Sequence, residues 1–219
     1  LKVSAKLVAR TIPINIPANT PEELIAYAAR VSNPSNQANH ETAGKLLRYC
    51  MEHKHWSVFE MSNAVVEIKA PRDITRQLLR HSSFSFQEFS QRYSDEIDFT
   101  ERSFRRQDNK NRQNSLDDLS PEVRRITIGT MHRIKRYAQQ AYQEMRDLNV
   151  AKECARVFLP EGLTMSTLYV NGNLRSWLHY LDVRDDEGVT QWEHVILARE
   201  VKKALRQVFP EILGIKNEK

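Results

Sequence analysis

Residues 80–93 read Arg80-His81-Ser82-Ser83-Phe84-Ser85-Phe86-Gln87-Glu88-Phe89-Ser90-Gln91-Arg92-Tyr93. Two arginines, a histidine, a glutamate, two glutamines and several hydroxyls share one short window. Guanidinium groups offer paired donors in a fixed plane, which suits phosphate and carboxylate ligands. No Gly-rich phosphate loop or dinucleotide fingerprint accompanies them, so a phosphate held here is held by side chains. Glu88, Ser90 and Arg92 are spaced by two, and an extended segment sets them on one face. Gln77 lies three residues before Arg80, so one helix turns both toward one site. Taken alone, the window also fits a solvated strand edge with scattered charges.

Working outward, the spacing predicts a strand over residues 61–69, with Ala64, Val66 and Ile68 alternating against Val65, Glu67 and Lys69. A helix from Pro71 to about Arg80 follows it. Upstream, residues 3–9 alternate weakly, as an edge strand does. Thr20-Pro21-Glu22-Glu23 reads as a capping box that opens a helix with Leu24, Ile25, Ala28 and Val31 on its apolar face. A second helix runs from Glu41 to His53, with Leu46, Leu47, Cys50 and Met51 inward. Downstream, residues 101–114 read as a long exposed basic loop. Ser120-Pro121-Glu122 starts the longest helix, reaching Asn149, with Val123, Ile126, Met131, Ile134, Ala138, Ala141, Met145 and Leu148 in helical period. A short helix spans Ala151 to Phe158. Residues 163–170 are β-rich, and Asn171-Gly172 reads as a turn. Helices from Asn173 to Val183 and from Thr190 to Val208 complete the chain. Helices and strands without regular βαβ alternation point to an α+β fold with a mixed, mostly antiparallel sheet and a helical subdomain.

The 219 residues are 40% hydrophobic and 28% charged, enough apolar chain for the core of one soluble domain over residues 1–219. No apolar run approaches a membrane span, so no membrane partner is expected. Leu1-Lys2-Val3-Ser4-Ala5-Lys6 does not read as a signal peptide. Two cysteines, Cys50 and Cys154, give no disulfide framework and fit a reducing cytoplasm. Cys50, His53 and His55 lack a matching ligand set elsewhere, so no metal is expected. The net charge of +5 favours anionic ligands. The stretch Arg102 to Arg112 would suit nucleic acid, but Asp108, Asp117 and Asp118 dilute it and no recognition motif appears. Glu153 and Arg156 stand three apart on one short helix. Between Asn173 and Arg184, Leu174, Trp177, Leu178 and Leu181 form an apolar face, and Arg175, His179 and Asp182 a polar one.

Together these segments resemble the flavin-dependent thymidylate synthases. The family signature is Arg-His-Arg, seven residues, Ser, and an Arg two further on. Arg80, His81, Ser82, Ser90 and Arg92 follow that spacing. The resemblance extends over Glu22-Glu23-Leu24, Ala28 to Ser32, His53-x-His55-x-Ser57-x-Phe59-Glu60, Glu153-x-Ala155-Arg156-x-x-Leu159-Pro160, Asn173 to Arg184, and Gln191-Trp192-Glu193. One departure stands out: Ser82 replaces the second motif arginine, removing a fixed charge and a fork of donors.

The resemblance implies reductive methylation of dUMP to dTMP, with 5,10-methylenetetrahydrofolate as carbon donor and FAD reduced by NADPH. It assigns Gln77, Arg80, Glu88, Ser90, Gln91, Arg92, Arg156 and Arg184 to dUMP. It assigns Ser57, Arg80, His81, Ser82, Glu88, Asn173, Arg175 and His179 to FAD, with His55 near the flavin and the approach of the folate. Arg184 is the implied catalytic side chain, because a cation there stabilises an anionic uracil. A homotetramer with sites shared between subunits is also implied. The alternatives are a flavoprotein of this fold impaired by Ser82 and a basic nucleic-acid-binding module.

Overall fold

The computed structural model describes residues 1–214. Its centre is a four-stranded sheet in the order β1-β2-β6-β3, every pair antiparallel, with β1 spanning Ser4–Arg10, β2 Asn63–Pro71, β3 Ser85–Glu88 and β6 Met165–Asn173. Alternation places Ala64, Val66, Ile68 and Ala70 of β2 on the buried face, beside Ser166, Leu168, Val170 and Gly172 of β6. The opposite face stays open, and there Tyr169 Oη donates to Glu67 at 2.8 Å. An antiparallel sheet tolerates one wet face, because its polar residues alternate outward.

Helices cover the buried face. They are α1 (Pro21–Ala29), α2 (Ala43–Glu52), α3 (Arg72–Leu78), α6 (Leu174–Arg184), α7 (Trp192–Leu205) and α8 (Pro210–Leu213), while α4 (Pro121–Asp147) and α5 (Lys152–Ala155) add no residue to the core. Ile25, Leu47, Phe59, Trp177, Leu197, Val201 and Phe209 join the sheet residues in one core. Thr20 caps α1, its Oγ1 accepting from the backbone N of Glu23 at 3.1 Å. Glu23 reaches back to the backbone N of Asn19 at 2.6 Å, one residue earlier than a standard capping box. Buried Glu22 accepts from the backbone N of Glu211 and Ile212, fastening α8 to α1.

Several expectations are corrected. Asn171 and Gly172 are not a turn; both lie in β6, which runs straight into α6. The reason is packing: a Cβ at Gly172 would overlap Cδ1 and Cε1 of Phe84, so glycine is there to admit a ring rather than to bend the chain. The helix from Pro71 stops at Leu78, leaving Arg80 beyond its end. The extended face over Glu88, Ser90 and Arg92 also fails. The strand ends at Glu88, and residues 90–93 form a turn in which Ser90 Oγ accepts from the backbone N of Arg92. Val31 was expected on the apolar face of α1 and is exposed, because the helix has already ended.

The basic loop is not merely surface. Arg106–Gln107 (β4) and Ser115–Leu116 (β5) pair across it, and Arg102 and Arg105 turn inward. On α4 only Met131, Ala138 and Tyr142 are buried, whereas Val123, Ile126, Ile134 and Leu148 are exposed. The helical period is real, but most of that face does not meet the core of its own chain. The segment 151–158 divides into α5 and a 3-10 turn over Arg156–Phe158.

Gly172→Ala is expected to cost about 1–3 kcal/mol, because the added methyl must expel the Phe84 ring. Thermal unfolding reads the loss, and Phe84→Leu placed in the Gly172→Ala background recovers part of it. An unchanged Tm for Gly172→Ala would contradict the close approach.

Candidate active site

The turn after α3 carries the first part of the site. His81 N donates to Leu78 O at 3.0 Å, and Phe84 N to His81 O at 3.2 Å. Phe84 is buried against Trp177 with ring centroids 4.4 Å apart, and it fills the space above Gly172. This aromatic anchor fixes the turn on α6. Ser176 Oγ donates to Ser83 O at 3.4 Å in support. Ser82, next to it, is exposed.

Arg184 closes α6, where the helix dipole favours a cation. Its Nε donates to Nε2 of His81 at 3.1 Å. It is half-buried, yet no carboxylate lies within 4.0 Å of it among the described residues. The groups around it are neutral. Burial pushes His81 down to about 4, with Arg184 and His179 adding to the effect. Burial, Arg184 and His81 push His194 down to about 3. Burial raises the Tyr180 phenol, so it too stays uncharged. Tyr180 Oη and His194 Nε2 are buried polar atoms without a protein partner, and their rings stand 5.7 Å apart. A bound water is the usual way such atoms are satisfied.

Gln77 joins this group. Its Oε1 faces Nδ1 of His194 at 3.1 Å, and its Nε2 donates to Oε1 of Gln191 at 2.8 Å. Gln191 in turn donates to Glu193 at 3.0 Å. Glu193 receives Arg105 at 2.9 Å and Arg102 at 3.7 Å, and Arg102 also clamps Asp73 through two bonds. Burial pushes the Glu193 carboxyl up, but its backbone bond and the two arginines outweigh that and hold it below the ordinary range. The basic loop is therefore locked to α3 and α7 by buried ion pairs.

A second cluster holds other assigned residues. Arg92 pairs with Glu153 at 3.1 Å, on the short helix that leads to Arg156. Glu88 accepts from Ser166 at 2.7 Å. Gln91 is 3% exposed and accepts from Arg72 at 2.6 Å, so its carbonyl is spent inside the fold. No hydrogen bond or ion pair among the described residues joins this cluster to Gln77, His81 and Arg184. Arg80 and Arg156 have no acidic partner among the described residues.

The third group lies along the start of α6. Asn173 caps the helix, its Oδ1 accepting from Ser176 N at 2.9 Å. Arg175 pairs with Glu60, which shares a 3-10 turn (Trp56–Met61) with exposed Ser57. His179 is exposed, with its ring 6.3 Å from that of His81. His55 stands at the edge of an aromatic cluster in which His53 stacks on Tyr49 at 3.9 Å, while Cys50 is buried.

The structure thus brings together Gln77, His81, Arg184 and His179, while Glu88, Gln91 and Arg92 bond to other partners. Sequence reading missed Tyr180, His194 and the partners Asp73 and Glu193 of the loop arginines. Only the Gln191-Trp192-Glu193 motif pointed toward that region.

The family described as Thymidylate synthase complementing protein matches residues 14–211. A probable flavin-dependent thymidylate synthase of Paramecium bursaria Chlorella virus 1 is 45% identical over 211 residues, covering 96% of this chain and 97% of its own. The flavin-dependent thymidylate synthase of Synechocystis sp. is 44% identical over 193 residues, 88% of each chain. Among solved structures, a UMP/dUMP methylase from Streptomyces cacaoi bound with 5-Br dUMP superposes with a TM-score of 0.82 at 25% identity, over 97% of this chain and 93% of that one.

Glu193→Ala is expected to cost about 3–5 kcal/mol, because it leaves buried guanidinium charge uncompensated. Denaturant unfolding measures the loss. Limited proteolysis should shift cleavage into residues 101–117; an unchanged pattern would mean that the loop is held by something else.

Proposed function

The chain belongs to the flavin-dependent thymidylate synthase family, and from that premise we propose that it methylates dUMP reductively to dTMP. In this reading 5,10-methylenetetrahydrofolate donates the carbon, NADPH is the reductant and FAD is the resident cofactor. The observation that carries the reading is Arg184: a half-buried guanidinium among neutral groups, with no carboxylate to cancel it.

Uracil C5 attacks an electrophilic carbon only when electron density is pushed toward it. A cation beside the uracil N3 and its oxygens stabilises the anion that forms there, and it acts most strongly where water and counter-charges are excluded. Arg184 is the group that does this. Arg80 and Arg156, free of acidic partners among the described residues, hold the nucleotide phosphate by charge-assisted bonds. Arg92 joins them by exchanging Glu153 for the ligand. Gln77 is fixed at both ends of its amide by His194 and Gln191, which sets its orientation before substrate arrives.

The residues along the start of α6 and the facing turns fit an anionic cofactor with a planar ring system. Ser57 and Ser82 expose hydroxyls, Arg175 a guanidinium and His179 an imidazole, beside the unpaired Arg80. With Asn173, Glu88 and nearby His55 they would hold FAD, while the His81 ring faces Arg184. When bound, FAD reduced by NADPH supplies the hydride chemistry of the reaction. Ser82 contributes one neutral hydroxyl where the family motif has an arginine, so Arg80 and Arg175 carry the cationic contacts on this face.

Exposed apolar residues support a homotetramer with shared sites. Val123, Ile126, Ile134, Tyr137 and Leu148 lie along α4, and Val157 is 77% and Tyr93 82% exposed. Patches of this kind on a soluble protein mark association surfaces. Light scattering should give four times the 25.6 kDa chain mass. Ile134→Glu, at an exposed position, should reduce that mass without unfolding the chain.

The test is dTMP formation from dUMP, methylenetetrahydrofolate and NADPH, with and without added FAD. Wild type is expected to turn over when FAD is supplied. Arg184→Ala should lower kcat by about 100–1,000-fold, the usual cost of removing a group that stabilises developing charge. Ser82→Arg should tighten FAD, read from flavin retained after gel filtration. No dTMP from wild type or Ser82→Arg at saturating FAD would sink the reading.

A further inference from the structure

His81 belongs to the motif that the family resemblance attaches to the flavin, yet its side chain is engaged elsewhere. Arg184 Nε donates to its Nε2 at 3.1 Å. A ring nitrogen that accepts a hydrogen bond carries a lone pair, so His81 is neutral and its proton sits on Nδ1. The bond uses the guanidinium's Nε–H and leaves the two terminal amines, with four donors in one plane, for other partners.

The ring is held firmly. Its centroid lies 5.4 Å from Tyr180 in edge geometry, 6.2 Å from Phe84 and 6.3 Å from His179. Phe84 is itself fixed by Trp177 and Gly172. The titratable groups facing His81 are Arg184, His179 and Tyr180 from α6 and His194 from α7. None of them carries a negative charge, so nothing there favours a charged imidazole. A carboxylate in place of His81 would orient Arg184 equally well but would neutralise it. Water in that place would leave the charge intact but would not fix the direction.

We infer that His81 is a positioning residue for Arg184: a neutral acceptor that aims the guanidinium at the anionic ligand without reducing its charge. This rests on the proposed role of Arg184. It differs from direct flavin contact, because it makes the effect of His81 on turnover pass through another side chain.

The experiment combines His81→Ala, His81→Gln, Arg184→Ala and the His81→Ala/Arg184→Ala pair. We measure kcat, KM for dUMP, retained FAD and the pH profile for each. His81→Ala should lower kcat at least ten-fold with a smaller change in KM and with FAD retained. His81→Gln, whose amide oxygen can accept from Nε, should recover most of that loss. The double variant should be no slower than Arg184→Ala alone. Multiplying losses, or His81→Gln as slow as His81→Ala, would overturn the inference. Burial and Arg184 hold His81 neutral down to about pH 4, so an acid limb near the ordinary histidine value that disappears in His81→Gln would overturn it too.

Nitrogen NMR of labelled wild-type protein decides the pairing even where a variant does not fold. The neutral Nδ1–H tautomer at pH 6 supports it, and titration of His81 near 6.5 overturns it. Wild-type protein that makes no dTMP overturns the proposed function and not the pairing, which the tautomer then decides.

Discussion

The contact between the Phe84 ring and the backbone of Gly172 joins the two segments that build the site. One segment is the turn after α3, with Arg80, His81 and Ser82. The other is the strand–helix junction of β6 and α6, with Asn173, Arg175, His179 and Arg184. They are far apart in sequence and meet because glycine lets an aromatic ring reach the sheet. Trp177 adds a second clamp, its Nε1 donating to Ala64 O at 3.3 Å. Without these contacts the turn would have only weak polar links to α6, and the 3.1 Å bond from Arg184 to His81 would lose its geometry.

That geometry matters because of what surrounds it. A half-buried cation is usually paired, since an uncompensated charge in a low-dielectric setting is costly. Elsewhere the chain follows this rule. Arg102 and Arg105 are buried and matched by Asp73 and Glu193. Arg184 differs: among the described residues no carboxylate pairs with it, and the adjacent Asp185 is engaged by Arg199 and Lys202. Its solvation cost is offset only in part by one imidazole lone pair, and the rest is available to an anionic ligand. From the paired arginines a hydrogen-bonded chain runs from Glu193 through Gln191 and Gln77 to His194, whose charged form Arg184 disfavours. The paired arginines supply rigidity, and the unpaired one supplies the field.

How much of this the sequence disclosed depends on the range of the interactions. Periodicity located β2 and α6 because their inward faces are settled by neighbours two to four residues away. Ala64, Val66 and Ile68 are buried as the alternation predicts, and so are Leu174, Trp177 and Leu181. Gly172 was misread because its purpose lies in a ring from another segment, and local turn chemistry cannot show that. The loop arginines were misread for a similar reason: their acids lie 29 and 88 residues away in sequence. On α4 the period was legible, but period alone does not say whether a face meets the core of its own chain. The candidate site residues were named through motif spacing, which lists them without saying what each touches. Tyr180 and His194 carried no such signal, because a buried tyrosine and a buried histidine look like core until their unpartnered atoms are seen.

Ser82 becomes easier to understand in this setting. It stands on the exposed side of the turn, while His81 beside it points inward to Arg184. The two neighbours therefore face different tasks, although they belong to one motif. Losing an arginine at 82 removes charge from the exposed side alone. It does not touch Phe84, Gly172 or the bond between His81 and Arg184. The pair formed by His81 and Arg184 is thus structurally separate from the face that differs from the family pattern. A change at residue 82 therefore acts on the exposed side of the turn and leaves the orientation of Arg184 intact.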